Sequence, residues 1–207
     1  MSNINQLLIN GKDTLINEGF VSFAKKTGDY LSTHIGGNRA TKTDAVREVK
    51  DVLFINGCTL PHPSRYRVSH QREQLEACGY TTDEVFYESI ELDMQKYYRT
   101  FVFYRCPVTD TIKEFIKLAK YNNKAVFYDI DDLVFDEKYT STIEYVNNMS
   151  EDDKRLYYDG VRRMGETLDL CDYAITTTEE LAKALEPHVK EVFINRNVAS
   201  ERMCALS

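Results

Sequence analysis

The chain has 207 residues, 43% hydrophobic and 29% charged, enough for one α/β domain with its own core plus an appendage. A net charge of −7 argues against nucleic acid as a partner, and scarce Gly (9) and Pro (4) exclude low-complexity architectures. No apolar run approaches the ~18–20 residues of a membrane span.

The opening "MSNINQLLING" lacks the basic region and apolar stretch of a secretory signal, so a cytoplasmic location is expected. Residues 3–33 place Ile16, Phe20, Phe23, Thr27, Tyr30 and Leu31 at spacings of three and four, predicting an amphipathic helix or two broken near Gly19. That stripe is expected to pack on the main domain, with dimerisation or a membrane-surface role as alternatives. Residues 34–46 read as a linker, which makes 1–49 a helical extension and 50–207 the main domain.

From Lys50 strands and helices alternate. "DVLFING" (51–57) predicts a strand, followed by a helix from Ser64, a preferred cap, to Cys78, with a stop at Gly79. "TDEVFYES" (82–89) predicts a second strand, "LDMQKYYR" (92–99) a short helix and "TFVFYR" (100–105) a third strand. Pro107 opens a helix to about Tyr121, with Ile112, Phe115, Ile116 and Ala119 on one face. "KAVFYDIDD" (124–132) is the fourth strand, running into an acidic loop. Ser150, with acids behind it, starts a helix over 150–172. "YAITTT" (173–178), a helix over 179–188 and "EVFINRN" (191–197) complete the pattern. Six short β-branched and aromatic strands alternating with helices predict a Rossmann-like, doubly wound, mostly parallel six-stranded sheet with helices on both faces.

Ligands of such sheets bind beyond the carboxyl ends of the strands, so the residues at those ends are the candidates. Gly57 would let backbone approach a ligand. The first turns of the following helix hold Arg65 and Arg67, with His62 before them and His70 after. Cations there are unexpected, because free N–H groups already make a helix start positive. One explanation is a bound phosphate or carboxylate. The other is pairing with the segment from Asp129 to Asp153, which holds nine acids and one base, Lys138.

Asp129, Asp131 and Asp132 end an apolar strand and could line a polar crevice with Arg65, Arg67 or Arg105, or could hold Mg²⁺. The D-x-D resembles the first motif of haloacid-dehalogenase-type phosphatases, but Leu133 departs from that motif. A polar wall without metal is therefore the expectation. Asn195 and Asn197 close the candidate set. No G-x-G-x-x-G is present, so no dinucleotide cofactor is expected. The five cysteines form no C-x-x-C pair, so buried free thiols are expected instead of disulfides or zinc.

The segments "DVLFINGCTLPHPSRYRVSHQREQLEACG", "FVFYRCPVTDTIKEFIKLAKYNNKAVFYDIDDLVFD", "LDLCDYAITTTEELAKAL" and "VFINRNV" resemble the N-terminal half of a bacterial glycosyltransferase of the two-Rossmann (GT-B) type, group 1 or family 4. The resemblance covers about residues 50–203. It implies that this domain binds a glycan or phosphorylated acceptor, while a second domain would bind the nucleotide-sugar donor without an obligatory metal. Gly57, Arg65 and Arg67 would face donor phosphates or acceptor, and Arg105, Asp131 and Asp132 would line the acceptor side. The chain ends about where that family crosses to its second domain, so 207 residues are expected to be inactive alone and open to a partner domain or self-association. The alternatives are a non-catalytic sugar- or phosphate-binding scaffold and a Mg²⁺-dependent phosphatase.

Overall fold

The computed structural model describes residues 49–206 apart from residue 142. The expectations for residues 3–33 and 34–46 lie outside the described residues. The chain divides into two units, Met1–Val46 and Arg47–Ser207, and everything below concerns the second.

Six strands form one sheet: β1 (Lys50–Asn56), β2 (Thr82–Phe86), β3 (Tyr98–Tyr104), β4 (Ala125–Asp129), β5 (Tyr173–Thr176) and β6 (Glu191–Ile194). All neighbours are parallel, in the order β2-β1-β3-β4-β5-β6. Strand order therefore reverses between β1 and β3. The doubly wound α/β expectation holds.

The period of two along each strand separates two cores. On one face Leu53, Ile55, Phe101, Phe103, Val126, Tyr128 and Ala174 pack against three helices. These are α2 (Asp110–Tyr121), α5 (Glu151–Leu170) and α6 (Glu179–Leu185). The Phe115 ring stands edge-on to Phe101 at 4.9 Å, a favoured aromatic geometry. On the other face Val52, Phe54, Val102 and Tyr104 meet Val68 and Leu75 of α1 (residues 61–77). Farther along that face Phe127, Tyr173 and Phe193 form an aromatic trio at 5.0–6.2 Å, and Phe193 keeps 42% of its surface exposed.

Helix α1 is built from three joined pieces: Pro61–Ser64, a π-helical stretch over Arg65–Ser69, and His70–Ala77. It starts three residues before Ser64, because Pro61 already has its φ fixed for a first helical position. Ser64 is not the cap. Its backbone is helical, and its hydroxyl donates to the Cys58 carbonyl at 3.0 Å. Gly79, at φ +87°, ends this stretch in the left-handed conformation that glycine adopts without penalty.

Helix α2 begins at Asp110, later than Pro107 suggests, since Thr109 supplies the cap by accepting from the Ile112 N–H at 3.1 Å. The predicted helix over 92–99 is a 3₁₀ turn, Leu92–Lys96, and β2 gives way to another at Tyr87–Ser89. The acidic loop after β4 carries two single-turn helices, α3 (Glu137–Thr140) and α4 (Glu144–Asn147). Ser150 caps α5 as expected, with Glu151, Asp152 and Asp153 in its first turn. A last helix, α7, spans Glu201–Leu206. Cys106 and Cys171 are buried, whereas Cys78 and Cys204 are exposed, contrary to a uniformly buried set. Among the described residues no helix is long and apolar enough to cross a membrane.

Candidate functional site

The candidate residues fall into two groups. The first is an interior clasp. Asp129 ends β4 on the α1 face, in register with Tyr104 of β3 and Ile175 of β5, and is fully buried. A carboxylate in that apolar setting requires a partner. Arg67, itself 1% exposed, reaches down from α1 and grips it with both fork positions, Nε to Oδ1 at 2.9 Å and Nη2 to Oδ2 at 3.0 Å. Gln71, one turn on, donates a third short hydrogen bond to Oδ2. The remaining guanidinium nitrogen of Arg67 donates to the Asn195 carbonyl at 2.6 Å and to Asn197 Oδ1 at 3.2 Å. His70, also buried, sets Nδ1 3.0 Å from the Val198 carbonyl and its ring edge-on to Tyr66. The segment leaving β6 is thus tied down from α1.

This arrangement corrects part of the sequence reading. The anion that Arg67 binds is the chain's own Asp129, the second of the two explanations, and the guanidinium's donors are committed and shut off from solvent. Asp129 is not a crevice wall, and its buried, doubly gripped carboxylate is out of reach as a phosphatase nucleophile. His70 and the Asn195 carbonyl likewise face the interior. The cations at the start of α1 answer a buried carboxylate and two carbonyls. Arg65 alone of the pair is exposed, and its guanidinium makes no hydrogen bond or ion pair among the described residues.

Burial pushes the Asp129 carboxyl up to about 6 from its ordinary 3.8, against the opposing pull of Arg67 and Gln71. The native state therefore holds this proton more tightly than the unfolded chain does. The stability Asp129 contributes is fully present below pH 3.8 and is lost as pH rises through about 6. Urea unfolding of the wild type and Asp129→Asn across this range isolates the effect. The wild type's stability relative to the variant should fall as pH rises toward 7 and then level off. A rise instead would mean that the ion pair outweighs the cost of burial.

The second group sits at the carboxyl ends of β3 and β4, beside the reversal of strand order. Arg105 follows β3 with a left-handed backbone, φ 42°. Beside it, an added Cβ on Gly57 would lie 2.5 Å from the Arg105 carbonyl oxygen and 2.5 Å from Cys106 Cα. Gly57 therefore serves close approach of backbone to backbone, not of backbone to ligand. Arg105 donates from Nε to Asp131 Oδ1 at 2.8 Å, lies 2.7 Å from the same oxygen through Nη2, and binds Asp132 Oδ2 closely. The Tyr104 hydroxyl donates to Asp131 Oδ1 at 3.1 Å. Asp131 and Arg105 are each 15% exposed, whereas Asp132 is 59% exposed.

Both carboxylates line an open cleft of about 560 Å³, whose other walls are Leu133, Val134, Tyr139, Ile143 and Leu181. The size suits a small organic ligand, and the mixture of apolar wall with a few fixed polar groups is typical of ligand sites. Of the wall residues only Asp131 and Asp132 were among the candidates. Leu133 and Val134 directly follow the two carboxylates, Tyr139 and Ile143 come from α3 and the residue before α4, and Leu181 is brought in from α6, a contact of which sequence offered no sign. Gln71 carried a readable signal: it lies four residues beyond Arg67, on the same side of a helix.

Among the described residues no group of three or more His, Cys, Asp or Glu side chains is arranged to hold a metal ion. In comparisons with known proteins, no family model and no curated protein matches the chain.

Proposed function

We propose that this chain is the acceptor-binding domain of a GT-B-type glycosyltransferase, with the Asp131–Asp132 cleft as the acceptor site. The observation that supports it most is the position of that cleft. It opens at the carboxyl end of a parallel sheet, between the segment that follows β4 and Leu181 of the helix that follows β5, and that end is where α/β sheets bind ligands. Arg105 holds the two carboxylates in place, and fixed carboxylate oxygens are suited to accept hydrogen bonds from sugar hydroxyls. The resemblance of residues 50–203 to glycosyltransferase N-terminal halves points the same way. The nucleotide-sugar would be bound by a second domain, as in the enzymes the chain resembles. A cytoplasmic setting goes with this reading and suits the buried thiols of Cys106 and Cys171.

On this reading the domain's contribution to transfer is positioning. Holding an acceptor hydroxyl at a fixed place can supply on the order of 7–11 kcal/mol once a donor is opposite it. The test is ligand-observed NMR of the 207-residue chain with a panel of oligosaccharides, followed by transfer assays with nucleotide-sugars. Saturation transfer to glycans without turnover is the expected result. Turnover by the chain alone would overturn the half-site reading, and absence of glycan binding would overturn the acceptor site.

A further inference from the structure

We infer that the cleft selects a neutral or amino-bearing sugar and rejects phosphorylated and uronic acid sugars; this rests on the acceptor-site reading above. Among the described residues the charged side chains lining the cleft are two carboxylates, and no cationic side chain lines it. Arg105, behind them, is the one cation among the described residues bonded to the pair, so one positive charge faces two negative ones. Its position is fixed by that pairing, and an incoming anion would have to displace a carboxylate to reach it. Lys138 stands 4.6 Å from the Tyr139 ring centroid, but its ammonium is held by Asp136 at 2.8 Å. The cleft therefore keeps a net negative charge.

The free valences point the same way. Asp131 takes its bonds from Arg105 and Tyr104 on Oδ1, and Asp132 takes Arg105 on Oδ2. Each carboxylate keeps its second oxygen free of protein donors among the described residues. A carboxylate accepts only, so the ligand must bring donors: hydroxyls or an ammonium group. A phosphate or a second carboxylate brings acceptors and like charge instead. The opposite wall is apolar, with Leu133 39% and Ile143 40% exposed, and it can cover the C–H face that a pyranose ring presents. An ammonium group on the sugar would form a charge-assisted bond, about twice as strong as a neutral one.

Matched β-linked disaccharides of glucosamine, glucose and glucuronic acid, together with glucose 6-phosphate, serve as the probes. Binding is read from shifts of the Leu133 and Ile143 methyl groups in NMR titrations of the full chain. The glucosamine disaccharide should bind about tenfold or more tighter than the glucuronic one, with the glucose one between them. Raising the salt concentration should narrow that gap. Asp132→Asn, at a largely exposed position that leaves the fold intact, should bring the glucosamine and glucuronic acid probes within about threefold of each other. Arg65→Ala should leave the ranking as it is. Tighter binding of glucuronate or glucose 6-phosphate at the same methyl groups would overturn the class while leaving an acceptor site standing. No shift with any sugar would overturn the class and the acceptor site together.

Discussion

Arg67→Met is expected to destabilise the domain by roughly 3–5 kcal/mol, because it leaves the fully buried carboxylate of Asp129 without its cation. For a domain of this size the melting temperature should fall by roughly 10 °C. The Asn195 carbonyl and Asn197 side chain lose their donor in the same step, so the exit from β6 should loosen as well. Arg65→Ala, two residues away on the exposed side, should change stability by less than about 0.5 kcal/mol. The two variants together separate a structural arginine from a surface one. A second change, Asp129→Leu in the Arg67→Met background, removes the stranded charge and should restore most of the loss. Urea unfolding of the three variants checks the series. An Arg67→Met protein as stable as Arg65→Ala would mean that the clasp carries no stability.

Gly57→Ala is the other change with a large expected effect. The added carbon would lie 2.5 Å from two backbone atoms, the Arg105 oxygen and Cys106 Cα, well inside the ~3.5–4.0 Å of favourable carbon contacts. Those atoms have little room to retreat. The Arg105 N–H is held by the Asp129 carbonyl at 3.1 Å, and the Gly57 N–H by the Tyr104 carbonyl at 2.8 Å. The expected loss is on the order of 3 kcal/mol, comparable with severe overpacking of a core. It should be accompanied by displacement of Arg105 and hence of Asp131 and Asp132, visible as broadened or shifted resonances from the cleft residues. Wild-type stability for Gly57→Ala would show that β1 and β3 can part without consequence, and the close-approach account would fall.

How much of this was readable beforehand differs from residue to residue. The six strands were legible because β-branched and aromatic runs separated by helical spacing have few other ways to bury themselves. Where each strand stopped was not. "YDIDD" reads as one acidic strand end, yet β4 ends at Asp129, and that boundary places Asp129 in the interior while Asp131 and Asp132 enter the cleft. The same limit applied to Arg65 and Arg67. Both stand in the same stretch of α1, and only the π-helical winding and the buried partner across the sheet distinguish them. The presence of cations near a helix start was the readable clue, and a partner within residues 129–153 was one of its two explanations; choosing between them required the topology. Arg105 was picked out for its position at a strand end, and there the structure brings it together with Asp131 and Asp132.

The span of the Arg67 clasp also governs the order in which the domain can be completed during synthesis. Asn195, whose carbonyl takes one of the guanidinium's protons, is 128 residues later in the chain. At about 5–20 residues per second, a ribosome delivers it roughly 6–26 s after Arg67. Asp129 emerges about halfway through that interval, so the ion pair can form while the last guanidinium nitrogen still depends on water. Helix α1 and the central strands can assemble early, but the clasp closes only when the final strand and the residues just after it have left the ribosome.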